Sequence, residues 1–359
     1  MRRCAGVMRC AGVMSGAMAL AIVAFGSSLA DACSRVLWAD NGQAVVTGRN
    51  MDWPEDMRTD LWAFPRGLAR KGESGDDNEL SWTSKYGSVG GAVYNLAIAD
   101  GMNEKGLVAN LLWLSESDYG KRDLKRPGLA LSLWAQYNLD NFATVAEAVA
   151  DIETGRYQLI AAGMPGYATA TVHLSLSDAT GDSAIIEIVD GGKVRVHHDR
   201  RYLVMTNSPP FPEQLANLKK YHVFGGTEAL PGTSEAADRF VRAAYYIQNQ
   251  TKPSDTRQTV ARMLSVMRNV AQPFVRPDPK RPEASHTIWR AVADSTDRLY
   301  FFESTLSPNI VWVNLPLLDL SVGAPIRKLD LSGADRDLVG EVSSQFKPAA
   351  PLEFKKGGS

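Results

Sequence analysis

Along most of residues 34–314, apolar and polar positions alternate in short runs punctuated at close intervals by turn residues. The first runs read as a hairpin: Ser34–Trp38, a turn at Asp40-Asn41-Gly42, then Ala44–Gly48. Asn-Gly between two apolar runs is the turn signal. On this reading Cys33 opens the edge of a sheet, and Arg49 and Asp52 leave the far end of the second strand. Arg66–Ser81, rich in Gly, Asp and Glu, reads as exposed loop. Val89–Ala99 and Gly106–Leu114 read as two more strands, joined through Asp100-Gly101 and Asn103-Glu104-Lys105-Gly106.

The pattern then changes. Leu129–Tyr137 reads as an apolar helix, and Thr144–Glu153 as a second that opens with the capping box Thr144-x-x-Glu147. Three alternating segments, Ala168–Ser175, Ser183–Val189 and Lys193–His197, read as a meander separated by Gly-Asp turns. A Pro-rich break at Ser208–Pro212 precedes two helices near Ser234–Gln248 and Thr256–Val270. Strands follow at Thr287–Ala293, Arg298–Glu303 and Asn309–Asn314, and the polar tail after Lys328 reads as peripheral. Helices segregated from mostly antiparallel strands predict an α+β fold, with two sheets each covered by helices. No linker divides the chain, so residues 33–359 read as a single domain.

Composition changes this picture at the N-terminus. Arg2, Arg3 and Arg9 precede an apolar run from Ala17 to Phe25, and Ala30-Asp31-Ala32 fits the small-x-small rule of a removable export signal. The run is far shorter than the ~20 residues that span a bilayer. Residues 1–32 are therefore expected to be cleaved, and the mature protein to be periplasmic or secreted. Arg-Cys-Ala-Gly-Val-Met occurs twice, at residues 3–8 and 9–14, which leaves Met1, Met8 and Met14 as competing start codons. Ser28-Leu29-Ala30 is a second cleavage site; cutting there leaves Asp31-Ala32 for self-removal. Losing Arg2, Arg3, Arg9 and Asp31 moves the formal net charge from −1 to −3, too small a bias for nucleic acid or an anionic membrane. No nucleotide-binding glycine pattern and no Cys/His metal spacing occurs, so no cofactor is assigned.

Cys4 and Cys10 fall inside the signal, leaving Cys33 as the only cysteine of the mature chain. After cleavage before it, Cys33 carries a free thiol and a free α-amine. The thiol ordinarily titrates near ~8.5 and the amine near ~7.7–8.0, so the amine can take the thiol's proton near neutrality. A nucleophile and its base then share one residue, as with N-terminal threonine nucleophiles. Arg49 is placed to favour the thiolate and Asp52 to hold the amine. By spacing alone these remain only suggestive.

Five ordered blocks make the reading specific: Cys33-Ser34, Gly48-Arg49-Asn50-Met51-Asp52-Trp53, Gly101-Met102-Asn103-Glu104-Lys105-Gly106-Leu107, Thr206-Asn207-Ser208-Pro209-Pro210-Phe211 and Arg239-Phe240-Val241-Arg242. They resemble the N-terminal-nucleophile choloylglycine hydrolases, the family of bile salt hydrolases and penicillin V acylases. The resemblance implies a four-layer αββα sandwich and hydrolysis of a linear amide C–N bond through a thioester. It implies that Cys33 is the nucleophile, that Arg49 and Asp52 assist it, that Asn207 contributes to the oxyanion hole and that Arg239 orders the site. The family is often tetrameric.

Ungapped counting from Gly106-Leu107 puts Trp113 where many bile salt hydrolases have asparagine and many Gram-positive penicillin V acylases have tyrosine. With a gap, Asn110 takes that place. Tryptophan resembles the Gram-negative branch, which includes penicillin V and N-acyl-homoserine-lactone acylases. Trp53 and Trp113 would then wall a pocket for an aryl or fatty acyl group. That ranks conjugated bile salts behind the other two substrates.

Plainer readings stand beside these. A free cysteine is usually a small buried hydrophobe, Arg49 and Asp52 a surface ion pair worth ~0–1 kcal/mol, and Asn207 and Asn103 turn residues. Arg239 on a helix is commonly a solvated charge, and Trp53 and Trp113 are as often packing as pocket wall. His197 and His198 point to opposite faces of a strand; these and His173, His222 and His286 read as packing residues, not metal ligands or bases. Two competing functions remain: an acyl-ligand-binding protein without turnover, and a binding protein lipid-anchored at Cys33. Leu29 and Asp31 fit a lipoprotein signal poorly.

Overall fold

The computed structural model describes residues 33–167, 169–276 and 285–358. The export signal read in residues 1–32 lies outside them.

Strands buried from end to end need cover on both faces, and here two sheets supply it to each other. The first places β1 (Cys33–Trp38) and β2 (Val46–Trp53) among seven strands in the order Val204–Met205, β1, β2, His286–Asp294, Leu299–Ser304, Ile310–Asn314 and Gly340–Glu341. The second has nine, in the order Lys193–His198, Ser183–Val189, Val172–Ser177, Val108–Trp113, Ala97–Asn103, Ser88–Val93, Asp60–Phe64, Arg327–Leu329 and Lys347–Pro348. Helices α1 (Trp134–Asn141) and α2 (Val145–Glu153) cover the outer face of the nine-stranded sheet. Of the next three, α3 (Phe211–Leu218), α4 (Ala236–Gln248) and α5 (Thr256–Asn269), the last two cover the seven-stranded sheet. The result is the α+β sandwich of four layers, αββα.

Two apolar clusters fill it. One, with Met51, Leu112, Met267 and Trp289, lies between the sheets and continues under α4 and α5. The other, with Trp134, Tyr137 and Ile186, lies between the nine-stranded sheet and α1 and α2. Polar bonds also cross between the sheets. Arg35 of β1 is fully buried and donates to Ser183 Oγ at 3.2 Å and to the Leu176 carbonyl at 3.4 Å. Thr47 Oγ1 and Ser177 Oγ stand 2.8 Å apart.

The hairpin forms with Cys33 paired to Met51. It differs from expectation in two ways. Cys33 is not at the sheet edge, because Val204–Met205 pairs with the outer side of β1. Arg49 and Asp52 lie inside β2, which is buried throughout. Charged residues are rarely buried unless paired, so the alternation pattern ends the strand too early.

The stretch read as one strand, Val89–Ala99, is a hairpin turning at Tyr94-Asn95-Leu96, where Tyr94 and Asn95 have φ angles of +53° and +52° and the Leu96 N–H donates back to the Val93 carbonyl. Asp100-Gly101 is strand, not turn. A Cβ on Gly101 would come within 2.6 Å of the Val89 carbonyl, so this glycine serves a close strand approach. Gly48 does the same against α5, where a Cβ would meet Met267 Cγ at 2.6 Å.

The first predicted helix opens instead with strand Gly128–Ala130 and a 3-10 turn, so α1 begins at Trp134. The Thr144 half of the capping box at α2 forms, with Thr144 Oγ1 accepting from the Glu147 N–H, while Glu147 Oε2 accepts from the Ala143 N–H one residue before the cap. The Pro-rich break is also the start of α3, where proline in the first turn costs no hydrogen bond. The tail after Lys328 is not peripheral. Its strands extend both sheets, and Val342 and Phe346 pack into the inter-sheet core. Two isolated apolar residues carry no periodicity, which hid this anchoring.

Phe346→Ala is therefore expected to cost about 3 kcal/mol of unfolding free energy, measured by urea denaturation. A loss within ~0.5 kcal/mol, as for a surface change, would return the tail to the periphery.

Candidate active site

The β1–β2 register sets the site. It brings the first residue of β1 beside the last turn-distal residues of β2, so Cys33 faces Met51 with Asp52 next in line. Cys33 Sγ lies 3.8 Å from Met51 Sδ and 4.0 Å from the Asp52 carbonyl. Arg49 Nη2 stands 3.8 Å from the thiol while donating to the Leu111 carbonyl at 2.8 Å. Its guanidinium lies over the Trp289 ring, 4.6 Å from the centroid.

The Cys33 nitrogen, an α-amine once the chain is cut before it, donates to Asn207 Oδ1. Asn207 Nδ2 donates to the Trp113 carbonyl at 2.8 Å, which uses one of its two N–H bonds. Arg239, at 0 % exposure, reaches in from α4. It donates to the Cys33 carbonyl at 2.6 Å, to Ser34 Oγ, and to Asn207 Oδ1 at 3.0 Å. Asp52 faces Arg239 at 3.8 Å and accepts from Thr287 Oγ1, its cross-strand partner.

Burial governs the electrostatics. It pushes the Cys33 thiol above its ordinary value, with Arg49 opposing and Asp52 reinforcing the shift. The arginine does not overcome desolvation, so the resting sulfur holds its proton. Burial also raises Asp52 to about 6, against the pull of Arg239 and the Thr287 hydrogen bond.

Cys33 opens onto a cavity with a predominantly apolar wall. Trp53 and Trp113 line it with ring centroids 5.8 Å apart, and Tyr167 packs on both, at 4.9 and 5.3 Å. Trp53 Nε1 donates to Tyr94 OH at 2.9 Å, and that hydroxyl to Glu55 at 2.6 Å.

The structure thus brings together Cys33, Arg49, Asp52, Asn207 and Arg239 around one thiol, with Trp53 and Trp113 in the adjoining wall. Arg239 is not solvated. The partner of the Cys33 nitrogen is Asn207 Oδ1, where Asp52 was expected. Asn110 is not in the cavity wall: its Nδ2 donates to Asp100 Oδ2 at 2.6 Å, and Asp100 also accepts from Tyr300 of the opposite sheet. Asn103 ends strand Ala97–Asn103 and orders the turn after it, its Oδ1 accepting from the Lys105 and Leu107 N–H groups at 3.0 and 3.1 Å. Sequence reasoning missed Thr287, Tyr94 and Tyr167. Each meets the site across strands or from loops, and none carries a local signal. Among the described residues, no group of three or more His, Cys, Asp or Glu is placed to hold a metal, and no helix is long and apolar enough to cross a membrane.

A buried thiol at the head of an internal strand, backed by two arginines in an αββα sandwich, defines a hydrolase of linear amides. Residues 33–332 match the linear amide C–N hydrolases of the choloylglycine hydrolase family, and the chain belongs to that family. It is 43% identical to a penicillin V acylase of Pectobacterium atrosepticum, over 94% of this chain and 96% of that one. The structure of a penicillin V acylase from Agrobacterium tumefaciens superposes with a TM-score of 0.82 at 47% identity, covering 90% of this chain and all of the other. A conjugated bile acid hydrolase from Clostridium perfringens shares the fold, with a TM-score of 0.70 at 22% identity over 83% and 96% of the two chains.

Because Asp52 titrates near 6 when folded and near ~3.9 when unfolded, its protonated form favours the native state. That contribution is complete below ~4 and lost as pH rises through 6. Asp52→Asn is expected to be destabilised overall, since Arg239 loses its partner, but to show a flatter stability profile between pH 4 and 7 in chemical denaturation. Parallel profiles would place the titration elsewhere.

Proposed function

We propose that the chain is an exported amidase in which Cys33 is an N-terminal nucleophile, acting on amides that join an aryl or fatty acyl group to a small polar amine. Penicillin V and N-acyl-homoserine lactones rank ahead of conjugated bile salts. One observation carries the reading: the Cys33 nitrogen and thiol sit together at the head of an apolar cavity, the nitrogen held by Asn207.

The acyl group fills the cavity against Trp53 and Trp113, which sets its carbonyl carbon beside Sγ. The α-amine removes the thiol proton as sulfur attacks. Asn207 donates its remaining N–H to the oxyanion, and Arg49 and Arg239 supply positive charge nearby. The intermediate collapses when the α-ammonium returns its proton to the leaving nitrogen. The amine departs and a thioester remains. Water, deprotonated by the same α-amine, attacks the thioester; the acid leaves and the thiol is regenerated. Asp52 and Arg239 hold Cys33 in place throughout. The two relatives named as penicillin V acylases, each above 40% identity, support the substrate order.

The test pairs the intact mass and N-terminal sequence of protein secreted from a bacterial host with a substrate panel. The expected protein begins at an unmodified Cys33 and releases the amine from penicillin V or a long-chain acyl homoserine lactone faster than from glycocholate. A lipidated Cys33, or a stable start at Asp31, would remove the base and overturn the mechanism. Predominant glycocholate turnover would overturn the substrate order. Cys33→Ala should abolish turnover. Asn207→Ala should lower kcat about 10²–10³-fold, the usual loss for one oxyanion donor, and lower the melting temperature as well, since the buried Arg239 guanidinium and the Cys33 nitrogen lose an acceptor.

A further inference from the structure

Glu187 lies in strand Ser183–Val189, is fully buried, and has no part in the chemistry above. Both neighbouring strands aim a histidine at it. His197 Nε2 stands 3.2 Å from Oε2, and His173 Nδ1 3.7 Å from Oε1. Burial pushes the carboxyl up, but the two neighbouring imidazoles and the Phe211 N–H together outweigh it and hold the group at about 2. A carboxylate kept ionised inside a protein needs partners for its lone pairs. The remaining partner here is a backbone group: the Phe211 N–H donates to Oε1 at 2.7 Å.

That N–H is one of the unpaired donors in the first turn of α3, where a negative charge is favourable. Helix α3 starts only four residues after Asn207. It also reaches back, because Gln214 Nε2 donates to the Asn207 carbonyl and to Thr206 Oγ1, both at 3.2 Å. The Phe211 ring packs on His197 at 5.2 Å and edge-on against Phe240 at 6.1 Å, next to Arg239. Glu187, α3, Asn207 and Arg239 therefore form one connected unit.

We propose that Glu187 is a positioning residue for Asn207: its carboxylate fixes the start of α3, and α3 fixes the Asn207 amide against the Cys33 nitrogen. The inference rests on the reading of Cys33 as nucleophile and amine. It assigns a function to two histidines that the sequence reads as packing.

The test is Glu187→Gln, which keeps shape and an acceptor but removes the charge. The expected enzyme has kcat lowered about tenfold and KM within about twofold. In an Asn207→Ala background the same change should alter kcat less than twofold, because residues acting through one another are not additive. A substrate-free readout runs beside it, the pH profile of Cys33 alkylation by iodoacetamide. Asn207 Oδ1 accepts from the Cys33 nitrogen and so favours the charged amine. E187Q and N207A should therefore shift the profile in the same direction, and the double variant no further. If E187Q does not fold, His197→Gln keeps a donor to the carboxylate without the imidazole ring and is compared in the same cycle. Unchanged kcat with a lowered melting temperature, or equal losses in both backgrounds, or an unmoved alkylation profile, would overturn the inference. Parent enzyme inactive on every amide would instead overturn the proposed function, while the alkylation profile would still decide this one.

Discussion

Arg239 is a guanidinium taken wholly out of water, and the site is arranged around what that requires. Burial lowers its affinity for the proton, and only acceptors close at hand offset the cost. Those acceptors are the Cys33 carbonyl, Ser34 Oγ and Asn207 Oδ1, with the Asp52 carboxyl as counter-charge. Each is a group whose position decides where the thiol and its nitrogen lie. A single side chain thus ties β1, β2 and the segment before α3 to α4, and the penalty for misplacing any of them is an unpaired buried charge.

The same burial separates ground state from transition state. Two arginines flank Cys33, yet desolvation keeps the resting thiol protonated. In the proposed reaction, positive charge that fails to ionise the sulfur at rest is still present when negative charge forms on the sulfur and then on the carbonyl oxygen. Fixed charge of that kind stabilises the transition state more than the ground state, which is what raises kcat.

The sandwich supplies rigidity rather than chemistry. Bonds that cross between the sheets, from Arg35, Thr47 and Tyr300, fix one sheet's register against the other. The cavity is bounded on one side by β2 and on the other by strand Val108–Trp113, so its width depends on that register. The tail adds to this: Phe346 packs between the sheets, and the Lys355 N–H donates to the Leu96 carbonyl at the cavity wall.

Much of this was legible in the chain. Hydrophobic alternation and turn chemistry located the β1–β2 hairpin, the meander, and helices α2, α4 and α5, because these depend on neighbours within a few residues. The five motif blocks named Cys33, Arg49, Asp52, Asn207 and Arg239, because reaction chemistry restricts residue type at those places. Helix α3, the anchored tail and the strand through Arg49 and Asp52 were misread, since burial of charge and of isolated apolar residues follows from distant partners. Asn110 was misplaced for the same reason: its partner Asp100 faces it across a strand pair. The partners of the site, Thr287 on Asp52, Tyr167 on both tryptophans, and Glu187 with its histidines on α3, are set by contacts between residues far apart in sequence. The sequence by itself singled out the residues that the fold gathers around Cys33, since motif spacing is read locally along the chain. Only the tertiary structure decided how each group is ionised and held, because desolvation and hydrogen-bond partners exist only once the layers close.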